Sequence, residues 1–281
     1  MRRLFPEIVS GQGVFMKSLI FGILLLPALS WAQAQEKTPA KKQFCKSRLI
    51  STDSMQRHVS SRLNQLSFYN QGGFLNGGVC WWHSRFTRAA AYLGVFEPSL
   101  PRPTDDEAKK IIENFRKRKS VVVVPGYKNL YDFSLSYGRE ILHELTEWQR
   151  SDGVLKFKWI TGLKGNSAIS AEELETRMND LYDRVKKGEV VYQMLQMPSV
   201  VAHAWLVVGI EKAFDGYELK IVDSNSQFGG TETYRYRTGE TKFEYNDLPD
   251  SHFVPYTQEI DEEIKLRTKL TKECEESVSR E

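Results

Sequence analysis

The spacing of apolar residues changes from mainly helical to that of strands at Lys187-Gly188, and that change limits the fold more than any other feature. Before it, apolar side chains recur three and four residues apart, which predicts helices with one buried face. After it, segments such as "EVVYQMLQM" and "VVAHAWLVVGIEK" have the composition of strands. The sequence therefore predicts an α+β fold in two lobes: a helical part at about 45–187, an antiparallel β-rich part at about 188–256 and a C-terminal helix at about 257–280.

Shorter motifs indicate where individual elements begin and end. Thr104 with Glu107, and Ser170 with Glu173, have the spacing of capping boxes at helix starts. "VVVV" at 121–124 predicts a short buried strand. The strand segments after residue 188 follow one another with short turns, so we expect a meander of antiparallel strands.

The N-terminal segment has the features of a secretory signal peptide. From Met16 the chain reads "MKSLIFGILLLPALSWAQAQEK", with one lysine, a short apolar run and a small-x-small cleavage pattern, "AQA". The apolar run is too short to cross a bilayer with ease, and no cysteine directly follows the cleavage pattern to carry a lipid. We expect residues 1–34 to be removed, with Met16 as an alternative start, leaving a secreted or periplasmic protein without a membrane anchor.

Composition favours a globular domain without a nucleic-acid or membrane partner. Hydrophobic residues make up 41% of the chain, which is enough for one sizeable core or two lobes sharing a cleft. The formal net charge is +3. Loss of the predicted signal peptide lowers it to about +1, too little to attract nucleic acids or membranes. We therefore expect a single domain at 35–281.

The chain has three cysteines, Cys45, Cys80 and Cys274, an odd number for an oxidising compartment. Cys45 and Cys274 lie near the two ends of the predicted mature protein, and the ends of a domain are often close in space. We therefore expect a disulfide between them, which leaves Cys80 as the free thiol.

The free thiol occurs in the segment "NGGVCWWHSRF". The two glycines allow a tight turn, and the residues from Cys80 to Leu93 have helical spacing, with Gly94 as a stop. Cys80 is therefore expected at a helix N-terminus, where unpaired N–H groups and the helix dipole favour a thiolate. The same N–H groups could bind the oxyanion of a tetrahedral intermediate.

A cysteine nucleophile needs a base that a third group holds in place. His203 lies in an otherwise apolar strand, where a polar ring needs a partner. The next strand ends at Asp223, and a hairpin between the two strands would place Asp223 or Asn225 beside His203. We expect a carboxylate there to accept the Nδ1–H of the ring and fix its tautomer.

These three segments together resemble the papain-like cysteine peptidases. "GGVCWW" is similar to the family's Gly-x-Cys-Trp box, "HAWLVVGIE" to its His-Ala strand, and "IVDSNSQFGG" to its Asn-Ser segment with aspartate in the first place. The resemblance implies a helical lobe with Cys80, a β-rich lobe with His203 and Asp223, and hydrolysis of a polypeptide substrate in the cleft between them. It implies no cofactor.

The oxyanion donor departs from the family pattern. Papain relatives usually have a glutamine six residues before the cysteine, and Phe74, which has no side-chain donor, occupies that place here. Gln71 and Asn76 are the candidates, with Gln71 preferred because its amide is the usual type.

Further residues and other classes of function are open at this stage. His83, Trp205 and Asn225 are candidates for supporting roles around the site. An acyl-enzyme could pass its acyl group to an amine instead of water, as in a transglutaminase or transpeptidase, or the domain could be an inactive binding module. A zinc site built from Cys80, His83, His203 and Asp223 is the weakest alternative, because paired Cys-x-x-Cys and His-Glu-x-x-His motifs are absent from the sequence, and we expect no metal.

Overall fold

A computed structural model describes residues 39–73, 78–152, 168–196, 202–244, 252–257 and 259–278, and the predicted signal peptide lies outside them. The helices within these ranges are α1 Pro39–Leu49, α2 Ser54–Ser60, α3 Cys80–Leu93, α4 Asp105–Lys117, α5 Leu130–Arg150, α6 Ala171–Lys186 and α7 Ile260–Val278. The strands are β1 Gly94–Glu97, β2 Val122–Pro125, β3 Val191–Gln196, β4 Ala202–Ala213, β5 Gly216–Asp223, β6 Glu232–Arg237, β7 Phe243–Glu244 and β8 His252–Thr257. The predicted α+β class is confirmed.

The larger sheet is antiparallel, with strand order β6-β5-β4-β3-β8-β7. Its two edge strands approach each other, because the rings of Tyr234 on β6 and Phe243 on β7 lie 4.4 Å apart between centroids. The N–H of Glu244 also donates to the Tyr234 hydroxyl at 3.0 Å. The sheet therefore curls until it is nearly a barrel.

The predicted simple meander is wrong at β8. This strand was not expected, and it lies between β3 and β7, so β7 pairs with β8 and not with β6. Pro255 in β8 cannot donate a hydrogen bond to a neighbouring strand, and proline counts against a paired strand in sequence. A second unpredicted strand, β1, pairs in parallel with β2, which overlaps the strand expected at 121–124.

Alternate residues of the large sheet enter two separate cores. Tyr192, Ala204 and Leu206 belong to a core with α3, α4 and α5, whereas Leu195, Trp205 and Val207 belong to a core with α6. This is the two-residue periodicity of strands that are covered on both faces. The sheet is therefore held between α6 on one side and the α3 region on the other.

The helix starts follow the sequence signals. Thr104 and Glu107 form a complete capping box at α4, and the Ser170 hydroxyl accepts the Glu173 N–H at α6. Helix α3 spans the predicted residues, its apolar side chains are buried, and Phe86 and Ala90 are completely so. Cys80 is thereby fixed as the first residue of a helix that is anchored in the core by its apolar side chains.

The expected disulfide is present. Cys45 on α1 and Cys274 on α7 are bonded, with their Cα atoms 5.6 Å apart and 229 positions between them in sequence. Cys80 is the free cysteine of the described residues and is buried. None of the helices in the described ranges has the length and hydropathy needed to cross a membrane.

Removing the disulfide is expected to destabilise the fold strongly. The double substitution Cys45→Ser and Cys274→Ser should lower the free energy of unfolding by about 2–5 kcal/mol, because a very long loop is no longer closed in the unfolded chain. Urea denaturation under non-reducing conditions measures this. Cys80→Ser, which leaves the disulfide intact, is the control, and equal stability of the double variant and this control would contradict the prediction.

Candidate active site

Cys80 is the first residue of α3, and Val79 is the N-cap. The thiol is 8% exposed, and its sulfur lies 3.8 Å from the carbonyl oxygen of Ala202 at the start of β4. The first N–H groups of a helix have no acceptor within the helix, so they carry partial positive charge toward this position. The predicted placement of Cys80 at a helix N-terminus is therefore confirmed.

The turn before Cys80 requires the glycine at position 78. Gly78 has φ of +80°, and a Cβ atom there would lie 2.6 Å from the side-chain nitrogen of Asn70. Its N–H donates to the Gly72 carbonyl at 2.9 Å, and its carbonyl accepts from the Gln149 amide at 3.0 Å. The chain is thus fixed from two sides just before the cysteine.

Helix α3 also fixes the strand that carries His203. The Trp81 indole donates to the Ala202 carbonyl at 3.3 Å, and the Ser84 hydroxyl donates to the Ala204 carbonyl at 3.2 Å. These two carbonyls flank His203 in the chain. The helix with the thiol and the strand with the imidazole are therefore bonded to each other on both sides of the histidine.

His203 and Asp223 form a buried pair. Nε2 of His203 lies 2.6 Å from Oδ1 of Asp223, and the two side chains are 9% and 0% exposed. The register explains the contact, because Asp223 at the end of β5 is opposite Trp205, two residues after His203 in β4. The same Asp223 oxygen accepts the backbone N–H of Asn225 at 2.8 Å.

The ring nitrogen that binds Asp223 differs from the one predicted. We expected Nδ1, but the structure uses Nε2. The Cys80 side chain also hydrogen-bonds the His203 ring. The side-chain torsions of His203 determine which edge of the ring meets the carboxylate, and the sequence pattern does not contain that information.

The pair changes the acidity of the imidazole. Burial would lower the pKa of His203, but the charge and hydrogen bond of Asp223, together with Cys80, raise it from 6.5 to about 10. The ring is therefore protonated at neutral pH. A protonated imidazole beside a cysteine at a helix start is the arrangement that stabilises a thiolate.

His83 lies close to this pair but is held in a neutral form. Its Nε2–H donates to the Phe68 carbonyl at 2.9 Å, and burial lowers its pKa to about 4. It lines a cavity of about 20 Å³ that Asp223 and Ser224 also line. His83 and Asp223 thus face the same small cavity, and the supporting role of His83 stays a prediction.

Trp205, a candidate for a supporting role around the site, is a core residue. Its ring is completely buried in the core on the α6 side, between Tyr234 and Phe243. Its indole N–H donates to Gln193 Oε1 at 2.7 Å. The alternation of β4 places this side chain within the curled sheet, where it supports the strand next to Asp223.

Of the two candidate oxyanion donors, only Gln71 lies within the described residues. Gln71 is exposed, and Gly72 and Gly73 separate it from residues 74–77, which lie outside the described ranges. Asn76 lies outside the described residues. Neither is therefore assigned to the oxyanion by the structure.

Asn70 is the residue that sequence reasoning missed. Its side-chain oxygen accepts the backbone N–H of Val79, its amide nitrogen donates to Asn225 Oδ1 at 2.9 Å, and its backbone N–H donates to the Ser224 carbonyl at 2.6 Å. It thus contacts both the start of α3 and the segment after Asp223. No motif marks it, because its partners are far from it in sequence.

Positive charge surrounds the next turn of α3. The guanidinium carbons of Arg85 and Arg88 each lie 5.3 Å from the centre of the Tyr192 ring, and both arginines bind Glu259 beside the start of α7. Burial raises the pKa of Glu259, but the two arginines more than offset this and hold it below its ordinary value. This buried cluster attaches α3 to α7 behind the thiol.

The described residues contain no group of three or more His, Cys, Asp or Glu side chains that could hold a metal ion. Comparison with protein families, curated proteins and solved structures finds no match to this chain.

Asp223→Asn is expected to lower the pKa of His203 from about 10 toward its ordinary value of 6.5. The amide has no negative charge, so burial of the ring is no longer offset. Titration of the histidine ring signals by NMR measures the change. Asp215→Asn, on the exposed hairpin between β4 and β5, is the control, and an unchanged His203 titration in Asp223→Asn would refute this explanation.

The raised pKa of His203 also predicts how stability depends on pH. The folded protein binds the proton more tightly than the unfolded chain, so the contribution is complete below about pH 6.5 and is lost as the pH rises through about 10. The difference in unfolding free energy between the parent protein and His203→Gln should shrink over that range. Urea denaturation at a series of pH values measures it, and a constant difference would contradict the prediction.

Proposed function

We propose that the protein is a secreted cysteine hydrolase that cleaves peptide or amide bonds in a polypeptide or peptide-like substrate, with Cys80, His203 and Asp223 as its catalytic triad. The observation that carries this proposal is the contact of a free thiol at a helix N-terminus with a buried histidine–aspartate pair. Three residue types that covalent catalysis requires are brought together from positions 80, 203 and 223.

The first half of the reaction uses the protonated ring. The Cys80 thiolate attacks the substrate carbonyl and forms a carbon–sulfur bond, while Nδ1–H of His203 gives its proton to the leaving amine. Asp223 keeps Nε2–H bonded throughout and so fixes the orientation of the ring. The products of this half are a free amine, a neutral imidazole and a thioester on Cys80.

The second half releases the acyl group. Neutral His203 takes a proton from water, and the resulting hydroxide attacks the thioester carbon. The carbon–sulfur bond then breaks, the acyl group leaves as a carboxylic acid, and the thiolate–imidazolium pair is restored. In both halves the backbone N–H of Cys80 would bind the oxyanion together with Gln71 or Asn76. This helix N-terminus suits an anion because its partial positive charge is fixed before the reaction starts.

The papain-like assignment and the location belong to the same proposal. The order of cysteine on a helix, histidine on a strand and aspartate at the end of the next strand is the order on which the family resemblance rests. The intramolecular disulfide supports an exported protein, because disulfides persist in oxidising compartments.

Two alternatives to a hydrolase remain: an enzyme that transfers the acyl group to an amine, and a domain that binds its partner without catalysis. A transglutaminase or transpeptidase would use the same three residues and pass the thioester to an amine. An inactive binding module would keep the fold without turnover. The contact of Cys80 with His203 favours an enzyme, because a binding module has no need of a protonated ring beside a thiol.

Cys80→Ala is expected to abolish release of peptides from fluorescently labelled casein, and Asp223→Ala is expected to reduce it by less. The thiol forms the covalent bond, whereas Asp223 orients and charges the base. Release of fluorescence is the measurement, and an added biotin-labelled alkylamine reports transfer of the acyl group to an amine.

Cys80→Ser provides the matched control, because it keeps the shape of the side chain and removes only the thiolate. Circular dichroism and the Cys45–Cys274 disulfide establish that each variant is folded. Turnover that survives Cys80→Ala would eliminate the mechanism.

A further inference from the structure

Asn70 connects the two halves of the catalytic site through its side chain. Its Oδ1 accepts the N–H of Val79, the N-cap residue directly before Cys80. Its Nδ2 donates to Asn225 Oδ1 at 2.9 Å. One amide therefore binds the start of the helix with the thiol and the turn that follows the strand with Asp223.

These contacts close a ring. Asn225 donates its backbone N–H to Asp223, Asp223 binds His203, and His203 binds Cys80, which is covalently joined to Val79. We call this set of contacts the hydrogen-bonded ring; its members are Val79, Asn70, Asn225, Asp223, His203 and Cys80. We propose that Asn70 is a positioning residue that closes the ring and thereby sets the geometry between the thiol and the imidazole, an inference that rests on the proposed function.

The backbone around Asn70 is arranged to keep its amide in place. The Asn70 N–H donates to the Ser224 carbonyl at 2.6 Å, which is a second bond to the turn after Asp223. Gly78 lies against the amide so closely that a Cβ atom would meet Nδ2 at 2.6 Å and Oδ1 at 2.8 Å. The glycine before the cysteine thus serves two purposes: it permits a positive φ and it leaves room for Asn70.

The hydrogen-bonded ring is needed because the pairing of strands within the sheet does not by itself hold the start of α3 to the end of β5. The order of contacts along the strands fixes His203 relative to Asp223, and α3 is bonded to β4 at Ala202 and Ala204. The turn after β5 extends beyond the sheet, and Asn70 is the side chain that bonds it to the helix start. Small displacements of a nucleophile relative to its base cost large factors in rate.

The test measures the reaction of Cys80 with iodoacetamide in Asn70→Ala across a range of pH, with the alkylated site identified by mass spectrometry. We expect the rate near neutral pH to fall by about tenfold to a hundredfold. We also expect the His203 titration, followed by NMR, to shift, which a purely structural role elsewhere in the fold would not produce. Asn64→Ala is the matched control, because it removes two amide hydrogen bonds to His58.

Two further variants keep the outcomes distinct. Asn225→Ala removes only the acceptor of the Asn70 amide, and it is the decisive variant if Asn70→Ala does not fold. Its rate of Cys80 alkylation should also fall. The double variant, Asn70→Ala with Asn225→Ala, should react no more slowly than Asn70→Ala. The role of Asn70 would be overturned if the parent thiol reacts fast and both folded variants, Asn70→Ala and Asn225→Ala, show the alkylation rate and the His203 titration of the parent. The proposed function would not be affected by that result. A parent thiol that reacts no faster than in His203→Gln would overturn the proposed function as well.

Discussion

The hydrogen bond between His203 and Asp223 is the contact on which the arrangement of the site depends. Both side chains are almost completely buried, and removing one member of such a pair costs about 3–5 kcal/mol because the other is left without a partner. The pairing of β4 with β5 must therefore keep the register that sets the two residues side by side. Trp205 is opposite Asp223 in this register, and its ring is buried among the aromatic rings of Tyr234 and Phe243.

The rest of the molecule brings a thiol to this pair. The sheet is covered on both faces, so α3 lies flat against one of them and its first residue meets the start of β4. Arg85 and Arg88 attach α3 to Glu259 at the beginning of α7, and the Cys45–Cys274 disulfide attaches α7 to α1. Packing, ion pairs and the disulfide thus act on the same helix, and Asn70 completes its contact with the turn after β5.

Each of the three proposed catalytic residues has a local signal in the sequence, which is why sequence reasoning could single them out as candidates. Cys80 follows two glycines and precedes a helical pattern, His203 interrupts an apolar strand, and Asp223 ends the next one. The disulfide followed from the odd number of cysteines and the closeness of domain ends. Features that depend on tertiary placement could not be predicted in this way: the pairing of β8 despite Pro255, the use of Nε2 by Asp223, and the contacts of Asn70 with residues 9 and 155 positions away.

The central claim is that the Cys80 thiol and the buried His203–Asp223 pair act together as one reactive unit. The most direct measurement is the difference in ultraviolet absorbance between the protein and its Cys80→Ala variant in the thiolate band, followed from mildly acidic to alkaline pH. The account predicts that the band develops over different pH ranges in the parent protein and in His203→Gln, because the charged imidazole is missing from the variant. A band that develops over the same pH range with and without His203 would contradict the account.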